Sequence, residues 1–213
     1  LIIEAQGPDW EKIHDLSGQI LLTKSKDLNV MSFFTQSGII CHGLPDLSQG
    51  LELIYKNLQT FWQEMYPKLH DDDGNFDPDY RANALSIFNS QDGIIKVIRN
   101  SFLIKNSLSQ VNFNVKEIEN ILDNPNISHE LYAGGTERLN IDLKIALDQS
   151  NSAITAVVNS LEYIYNIKNL FSEKLDDYEI KFDHLEKLSS KIPSYPDAII
   201  SPVIEKLKIK IAF

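Results

Sequence analysis

The chain of 213 residues has a single cysteine, Cys41, and no apolar run near the roughly 20 residues needed to cross a bilayer. One cysteine excludes an internal disulfide and is typical of proteins in a reducing cytoplasm. Basic residues are also scarce, with 20 lysines and arginines against 30 acidic residues and a net charge of −10. Because phosphate binding needs a basic face, we expect a cytoplasmic protein that neither binds nucleic acid nor inserts into membranes.

Residue patterns typical of catalysis or metal binding are also sparse. No two histidines are three or four residues apart, and the five are His14, His42, His70, His129 and His184. Cys41 and His42 are the only Cys/His neighbours, and a cysteine packed at a helix end explains them better than a catalytic dyad, because adjacent helical residues project differently. We therefore expect no catalytic residue, no cofactor and no metal ligand.

Two short segments invite a ligand-binding interpretation but fit a template poorly. An EF-hand loop counted from Asp71 requires glycine at its sixth position and glutamate at its twelfth, where this chain has Phe76 and Ala82. Gly134-Gly135 precedes a helical pattern but lacks the surrounding residues of a phosphate-binding loop. A solvated acidic turn and a flexible joint are the better interpretations.

Helical periodicity is present almost throughout, and it predicts an all-α fold that starts with a compact amino-terminal bundle at 1–105. Asp27 is suited to cap the second helix, and Gly43 to end it. Asp46 and Gln49 have capping-box spacing at the start of the third helix, which Pro67 would end. Asp77-Pro78 would open a fourth helix.

The remainder of the chain divides into a connector at 106–136 and a long helical hairpin with a tail at 137–213. The connector should contain one short helix with a capping box formed by Asn114 and Glu117. No proline or glycine interrupts 137–175, which predicts one very long helix or two nearly collinear ones, and Asp183–Lys191 can supply the returning helix. The last residues fit either an edge strand or a short helix.

Several short motifs occur in order along the first hundred residues: Lys26-Asp27-Leu28, Gly50-Leu51, Trp62 with Tyr66-Pro67, Asp72-Asp73-Gly74, and Arg81-Ala82-Asn83-Ala84-Leu85. Together they resemble the ImpA-type amino-terminal domain of TssA proteins, assembly subunits of the bacterial type VI secretion apparatus. The resemblance covers roughly 8–100 and weakens beyond it.

This resemblance implies a non-enzymatic cytoplasmic scaffold that recruits baseplate, tail-tube or sheath proteins. Ring formation belongs to the carboxy-terminal domains of that family, and we do not expect it of this chain. Two other classes stay open. A helical adaptor or chaperone could present the 137–175 helix to an unrelated partner. An all-helical hydrolase is less favoured, because the acidic and histidine residues are scattered.

Two structural expectations concern particular residues. The resemblance places Asp27 and Arg81 in one helical core, and a buried arginine is nearly always paired with a carboxylate, so we expect an ion pair between them. The return helix can cover only part of the long apolar stripe, which should leave an exposed surface for self-association or partner docking. Its expected residues are Ile154, Val158, Leu161, Tyr165 and Leu170.

Overall fold

Three antiparallel helices joined by short turns begin the fold, and the computed structural model describes residues 7–106, 111–148 and 152–191. They are α1 (Trp10–Thr23), α2 (Leu28–His42) and α3 (Pro45–Phe61). The Asp27 carboxylate caps α2, and Gly43 ends it at φ +98°, as predicted. The predicted capping box at Asp46 is wrong: α3 begins at Pro45, and no side chain caps its first turn.

Shorter elements follow a loop that contains the acidic turn. They are α4 (Asp79–Leu85), a 3₁₀ turn (Ser86–Asn89), a π turn (Gln91–Ile95) and α5 (Lys96–Asn100). Two strands that the sequence did not predict come next, β1 (Phe102–Asn106) and β2 (Val111–Asn114), and they pair antiparallel with an irregularity near Phe102. The fold is therefore predominantly helical, as predicted, with one small β-ribbon inserted.

Five helices complete the described part of the chain: α6 (Val115–Asp123), α7 (Ser128–Leu131), α8 (Gly135–Asp148), α9 (Ser152–Lys174) and α10 (Asp183–Lys191). Asn114 and Glu117 form the predicted capping box of α6, with both bonds at 2.9 Å. The connector differs from the prediction because it holds a strand and two helices rather than one helix. The predicted tail lies in 192–213, outside the described residues.

The predicted hairpin is wrong in one respect, because the helix that packs most extensively on α9 is α3 and not α10. The returning helix α10 has the predicted bounds and packs on α9, but the most extensive helix contact in the structure joins α9 to α3. Buried apolar residues from Leu21 to Leu188 form one hydrophobic core cluster. The division of the chain into a bundle at 1–105 and a hairpin with a tail at 137–213 stays a prediction, although described residues of both parts contribute to this core.

None of the helices in the described part of the chain combines the length and apolar character that a membrane-spanning segment requires.

Candidate functional site

The segment from Met65 to Pro67 is held by backbone hydrogen bonds from the turn before α2. Leu28 N donates to Tyr66 O at 2.8 Å, and Tyr66 N donates to Lys26 O at 2.9 Å. These two bonds form an isolated parallel bridge between Asp27 and Tyr66. The bonds thereby join two sequence motifs, Lys26-Asp27-Leu28 at the start of α2 and Tyr66-Pro67 just beyond α3.

Arg81 on α4 holds the same segment from the other side. Its side chain is fully buried, with Nε donating to Pro67 O at 2.7 Å and Nη2 to Met65 O at 3.1 Å. The guanidinium also lies over the Trp62 ring, 4.9 Å from the centroid. Nη1 has no hydrogen-bond partner among the described residues. Desolvation disfavours the charged form and lowers the pKa of Arg81 to about 10.

The expected ion pair between Asp27 and Arg81 is not among the salt bridges of the described residues. Asp27 Oδ1 instead accepts from Asn29 N at 2.8 Å and Val30 N at 3.4 Å. A helix amino terminus supplies free amides and a favourable dipole, so the carboxylate is stabilised there without a cation. Arg81 is buried as predicted, but main-chain carbonyls take the place of its predicted carboxylate partner.

Aromatic contacts connect this motif cluster to α9. Phe171 on α9 is fully buried and meets Trp62 edge to face, with ring centroids 5.2 Å apart. Just beyond α9, the Tyr178 hydroxyl donates to Asp79 at the start of α4. Burial, together with this hydrogen bond, raises the pKa of Tyr178 to about 12. The amino-terminal motifs and α9 therefore form one packed unit.

The predicted interaction surface on α9 is largely covered. Ile154 and Leu170 are buried, at 2% and 9% exposure, so they are not available as surface residues. Val158 and Leu161 are partly buried, and Tyr165 is 37% exposed. The prediction assumed that only α10 would cover α9, whereas α3 also packs on α9. What is left at the surface is a narrower strip than the sequence suggested.

A cluster that the sequence analysis missed lies where α1, α2 and α3 converge. His14, His42 and Asp46 each place one potential ligand atom within 4.8 Å of the others. The four-residue spacing of His42 and Asp46 is visible in the sequence, but the spacing of histidines alone does not include it. His14 joins them only through the packing of α1 on α2.

Cys41 lies beside this cluster, and the pKa of its thiol is raised. Burial is the largest cause, and the carboxylates of Glu11, Asp46 and Asp15 add to it by disfavouring a thiolate. A raised pKa disfavours the thiolate, which is the form in which a cysteine acts as a nucleophile.

The acidic turn is organised by its own backbone. Asp71 Oδ1 accepts from Asp73 N at 3.0 Å and Asn75 N at 2.7 Å, while Asp71 Oδ2 accepts from Asn75 Nδ2 at 3.0 Å. These bonds, led by the one from the Asn75 side chain, lower the pKa of Asp71. Such a pattern is typical of an Asx-type turn, in agreement with the interpretation of a solvated turn.

Comparisons with known proteins agree on the first part of the chain. A family model described as ImpA, N-terminal, type VI secretion system, matches residues 2–90. The type VI secretion system component TssA1 of Pseudomonas aeruginosa is 38% identical over 85 residues, which are 40% of this chain and 24% of that protein. The chain thus spans about a quarter of the length of this curated relative.

The fold also has a solved counterpart. It is similar to the N-terminal domain, including the conserved ImpA_N region, of the TssA component of the type VI secretion system from Burkholderia cenocepacia, with a TM-score of 0.61. The match covers 89% of this chain and 77% of that one, at 16% identity. At this identity the likeness concerns the fold alone, but it extends well beyond the 2–90 segment.

Proposed function

We propose that the chain is part of a non-enzymatic assembly subunit of the type VI secretion apparatus, because residues 2–90 match the ImpA-type amino-terminal family model and the fold is similar to that of a TssA amino-terminal domain. It acts in the bacterial cytoplasm and recruits baseplate, tail-tube or sheath proteins. The family match is the observation that carries this proposal. Activities of the parts of TssA1 outside the match are not assigned to this chain.

Docking of a secretion component uses the part of α9 that α3 and α10 leave at the surface. Val158, Leu161 and Tyr165 are spaced by three and four residues, so they lie on one side of the helix and form what we call the outer strip. Apolar residues at this spacing are typical of helices that pack against a partner. The occupant we propose is a protein component of the secretion tail.

The position of the outer strip supports this role. The opposite side of α9 packs on α3, Phe171 contacts Trp62, and Tyr163 lies 6.3 Å from Tyr55 between ring centroids. Burial and the neighbouring Glu52 carboxylate on α3 raise the pKa of Tyr163, so its hydroxyl stays protonated beside that acid. A helix anchored in this way presents its outer strip with little freedom to reorient, which reduces the entropic cost of docking.

The proposal is tested by binding of purified components to the immobilised 213-residue chain. Baseplate, tail-tube and sheath proteins are offered one at a time. We expect saturable binding of at least one of them, and at least tenfold weaker binding after the double substitution Val158→Glu and Tyr165→Glu. The matched control is Tyr80→Glu on α4, because Tyr80 is an exposed tyrosine of the same fold at 53% exposure.

Each outcome separates two parts of the proposal. Unchanged binding by the double variant overturns the outer strip, and a loss caused by Tyr80→Glu instead moves the docking surface to α4. If the wild-type chain binds none of the three classes, the assembly role fails, and the alternative of a helical adaptor or chaperone for an unrelated partner replaces it. Sedimentation at high concentration tests self-association through the same strip.

A further inference from the structure

Three helices bring two imidazoles and a carboxylate to one place. His14 lies on α1, His42 is the last residue of α2, and Asp46 lies in the first turn of α3. One potential ligand atom of each lies within 4.8 Å of the other two. Because the three residues come from separate helices, an ion held by them would join all three elements.

The ring of His14 is already oriented. It stacks on the Phe34 ring at 4.3 Å between centroids, and its Nδ1 lies 3.2 Å from Phe34 O. A carbonyl oxygen only accepts hydrogen bonds, so a hydrogen bond to Phe34 O requires the tautomer with the proton on Nδ1, which leaves the lone pair of Nε2 for a metal. The Ser37 hydroxyl oxygen lies 3.4 Å from the same Nδ1. Histidines that bind metals commonly donate their other N–H to a backbone carbonyl in this manner.

Asp46 and His42 are also preorganised. The Asp46 carboxylate lies 2.8 Å from His42 Nδ1, and the two rings of His42 and His14 meet edge on, 4.9 Å apart between centroids. Gly38 on α2 leaves the space that this carboxylate occupies, since a Cβ at that position would lie 2.5 Å from Asp46 Oδ2. The absence of a side chain at position 38 therefore permits the approach of α3's acid to α2.

The surroundings favour a cation. A cleft of about 420 Å³ is lined by His14, His42 and Asp46 among other residues. An adjoining cleft of about 210 Å³ shares the two histidines and adds Glu11 and Asp15 from α1. Carboxylates on both sides of the imidazole pair lower the electrostatic potential there, which raises the local concentration of cations.

We infer that His14, His42 and Asp46 bind a divalent transition metal ion of the zinc class, with a fourth position open to water. Two imidazole nitrogens and one carboxylate oxygen suit zinc, nickel or copper, whereas magnesium and calcium prefer oxygen ligands. Ligand atoms of tetrahedral zinc are roughly 3.4 Å apart, given bonds of about 2.0–2.1 Å. The ligand atoms lie within 4.8 Å of one another, so changes of roughly 1.4 Å or less in their separations give tetrahedral spacing.

Metal titration of the full chain tests this inference. The chain is stripped with EDTA, dialysed, and titrated with Zn²⁺ against a chromophoric chelator, and Co²⁺ is added to a second sample. We expect one equivalent of Zn²⁺ bound with a micromolar or tighter Kd, and visible Co²⁺ bands of tetrahedral intensity. The melting temperature should rise with Zn²⁺, because only the folded chain assembles the three ligands.

Substitutions assign the ligands. His14→Ala, His42→Ala and Asp46→Asn should each weaken Zn²⁺ binding at least tenfold, whereas the matched controls His70→Ala and His184→Ala should leave it unchanged. Equal losses in the controls, or binding that survives both His14→Ala and His42→Ala, would show adventitious binding elsewhere and overturn the site. Failure of the wild-type chain to bind Zn²⁺ would overturn the inference and leave the His42–Asp46 contact as an ordinary contact between residues four apart.

X-ray absorption on the wild-type zinc complex keeps the inference testable if a variant fails to fold. We expect a shell of nitrogen and oxygen atoms with the multiple scattering of two imidazoles. A sulfur atom in that shell, or fewer than two imidazoles, would overturn the ligand set. Gly38→Ala adds a further readout, because the new methyl group displaces the Asp46 carboxylate and should weaken Zn²⁺ binding while both histidines remain.

Discussion

The guanidinium of Arg81 lies against the indole of Trp62, 4.9 Å from the ring centroid, while two of its nitrogens donate to main-chain oxygens. A cation buried without a carboxylate is unusual, because its desolvation is normally offset by an opposite charge. Here the aromatic face and two carbonyl dipoles supply the stabilisation. The motif Arg-x-Asn-Ala-Leu thus acts by closing the loop after α3 onto α4.

Removing the donors of Arg81 should destabilise the fold. Arg81→Met keeps an apolar stem but leaves Met65 O and Pro67 O without these bonds, and a hydrogen bond to a charged group contributes about 1.5–3 kcal/mol. We expect a loss of roughly 2–4 kcal/mol in the free energy of unfolding, measured by urea denaturation. Asp27→Asn keeps a side-chain oxygen able to cap α2 and should cost less than about 1 kcal/mol. Breaking a buried ion pair would instead cost about 3–5 kcal/mol.

The reverse ranking would contradict the structure. If Asp27→Asn and Arg81→Met were equally destabilising, and their effects were not additive, the two side chains would be coupled as the sequence analysis first suggested.

A second prediction concerns the contact between Phe171 and Trp62. Phe171→Ala removes a fully buried ring from the junction of α9 with the amino-terminal motifs, and such truncations cost about 3–5 kcal/mol. Because both parts share one core, tryptophan fluorescence and far-UV circular dichroism should report a single coincident transition that moves as a whole. Tyr165→Ala at the surface serves as the control and should shift it little.

Two separate transitions, with only the later one moved by Phe171→Ala, would instead show that 8–100 and 137–192 fold independently.

The sequence predicted features set by neighbouring residues better than features set by packing partners. The Asp27 cap, the Asn114–Glu117 capping box and the bounds of α10 are confirmed, because each depends on hydrogen bonds or periodicity within a few residues. The partner of α9 was not predictable in that way. A helix stripe shows that a face will be buried, but it does not identify the helix that buries it.

The candidate sites show the same division. Burial of Arg81 followed from its apolar neighbours, whereas its carbonyl partners come from a loop 14 and 16 residues away in the chain. The approach of His14 to His42 depends on how α1 packs against α2, and the spacing of residues in the sequence does not predict that packing. The strands β1 and β2 were missed because β1 begins with three consecutive apolar residues instead of alternating, and β2 alternates over only four residues, too few to mark a strand.

A third prediction concerns calcium and the acidic turn. The Asp71 oxygens already accept three hydrogen bonds from Asp73 and Asn75, and the template of a calcium loop is incomplete. Added Ca²⁺, compared with a calcium-selective chelator, should therefore leave the melting temperature unchanged. A rise of several degrees that disappears in Asp71→Asn would refute the interpretation of a solvated turn.

A fourth prediction follows from the close approach of α2 and α3 at Gly50. A Cβ there would overlap Thr35 Oγ1 and Cγ2, so Gly50→Ala should cost about 1–3 kcal/mol through overpacking. Adding Thr35→Gly moves the small residue to the other helix, and the double variant should be more stable than the sum of the two single effects. Gly7→Ala, with nothing within 4 Å, is the control.

If the stability losses caused by Gly50→Ala and Thr35→Gly were strictly additive, α2 and α3 would separate rather than repack.

The last prediction concerns alkaline pH and Tyr178. Its pKa is raised to about 12, first by burial and then by the hydrogen bond to Asp79, from a usual value of about 10. Since the unfolded chain releases this proton first, the contribution of Tyr178 to stability is complete below about pH 10 and is lost as the pH rises toward 12. The difference in unfolding free energy between the wild type and Tyr178→Phe should therefore shrink from pH 9 to pH 12. A flat profile for Tyr178→Phe would show that the Asp79 contact does not persist in solution.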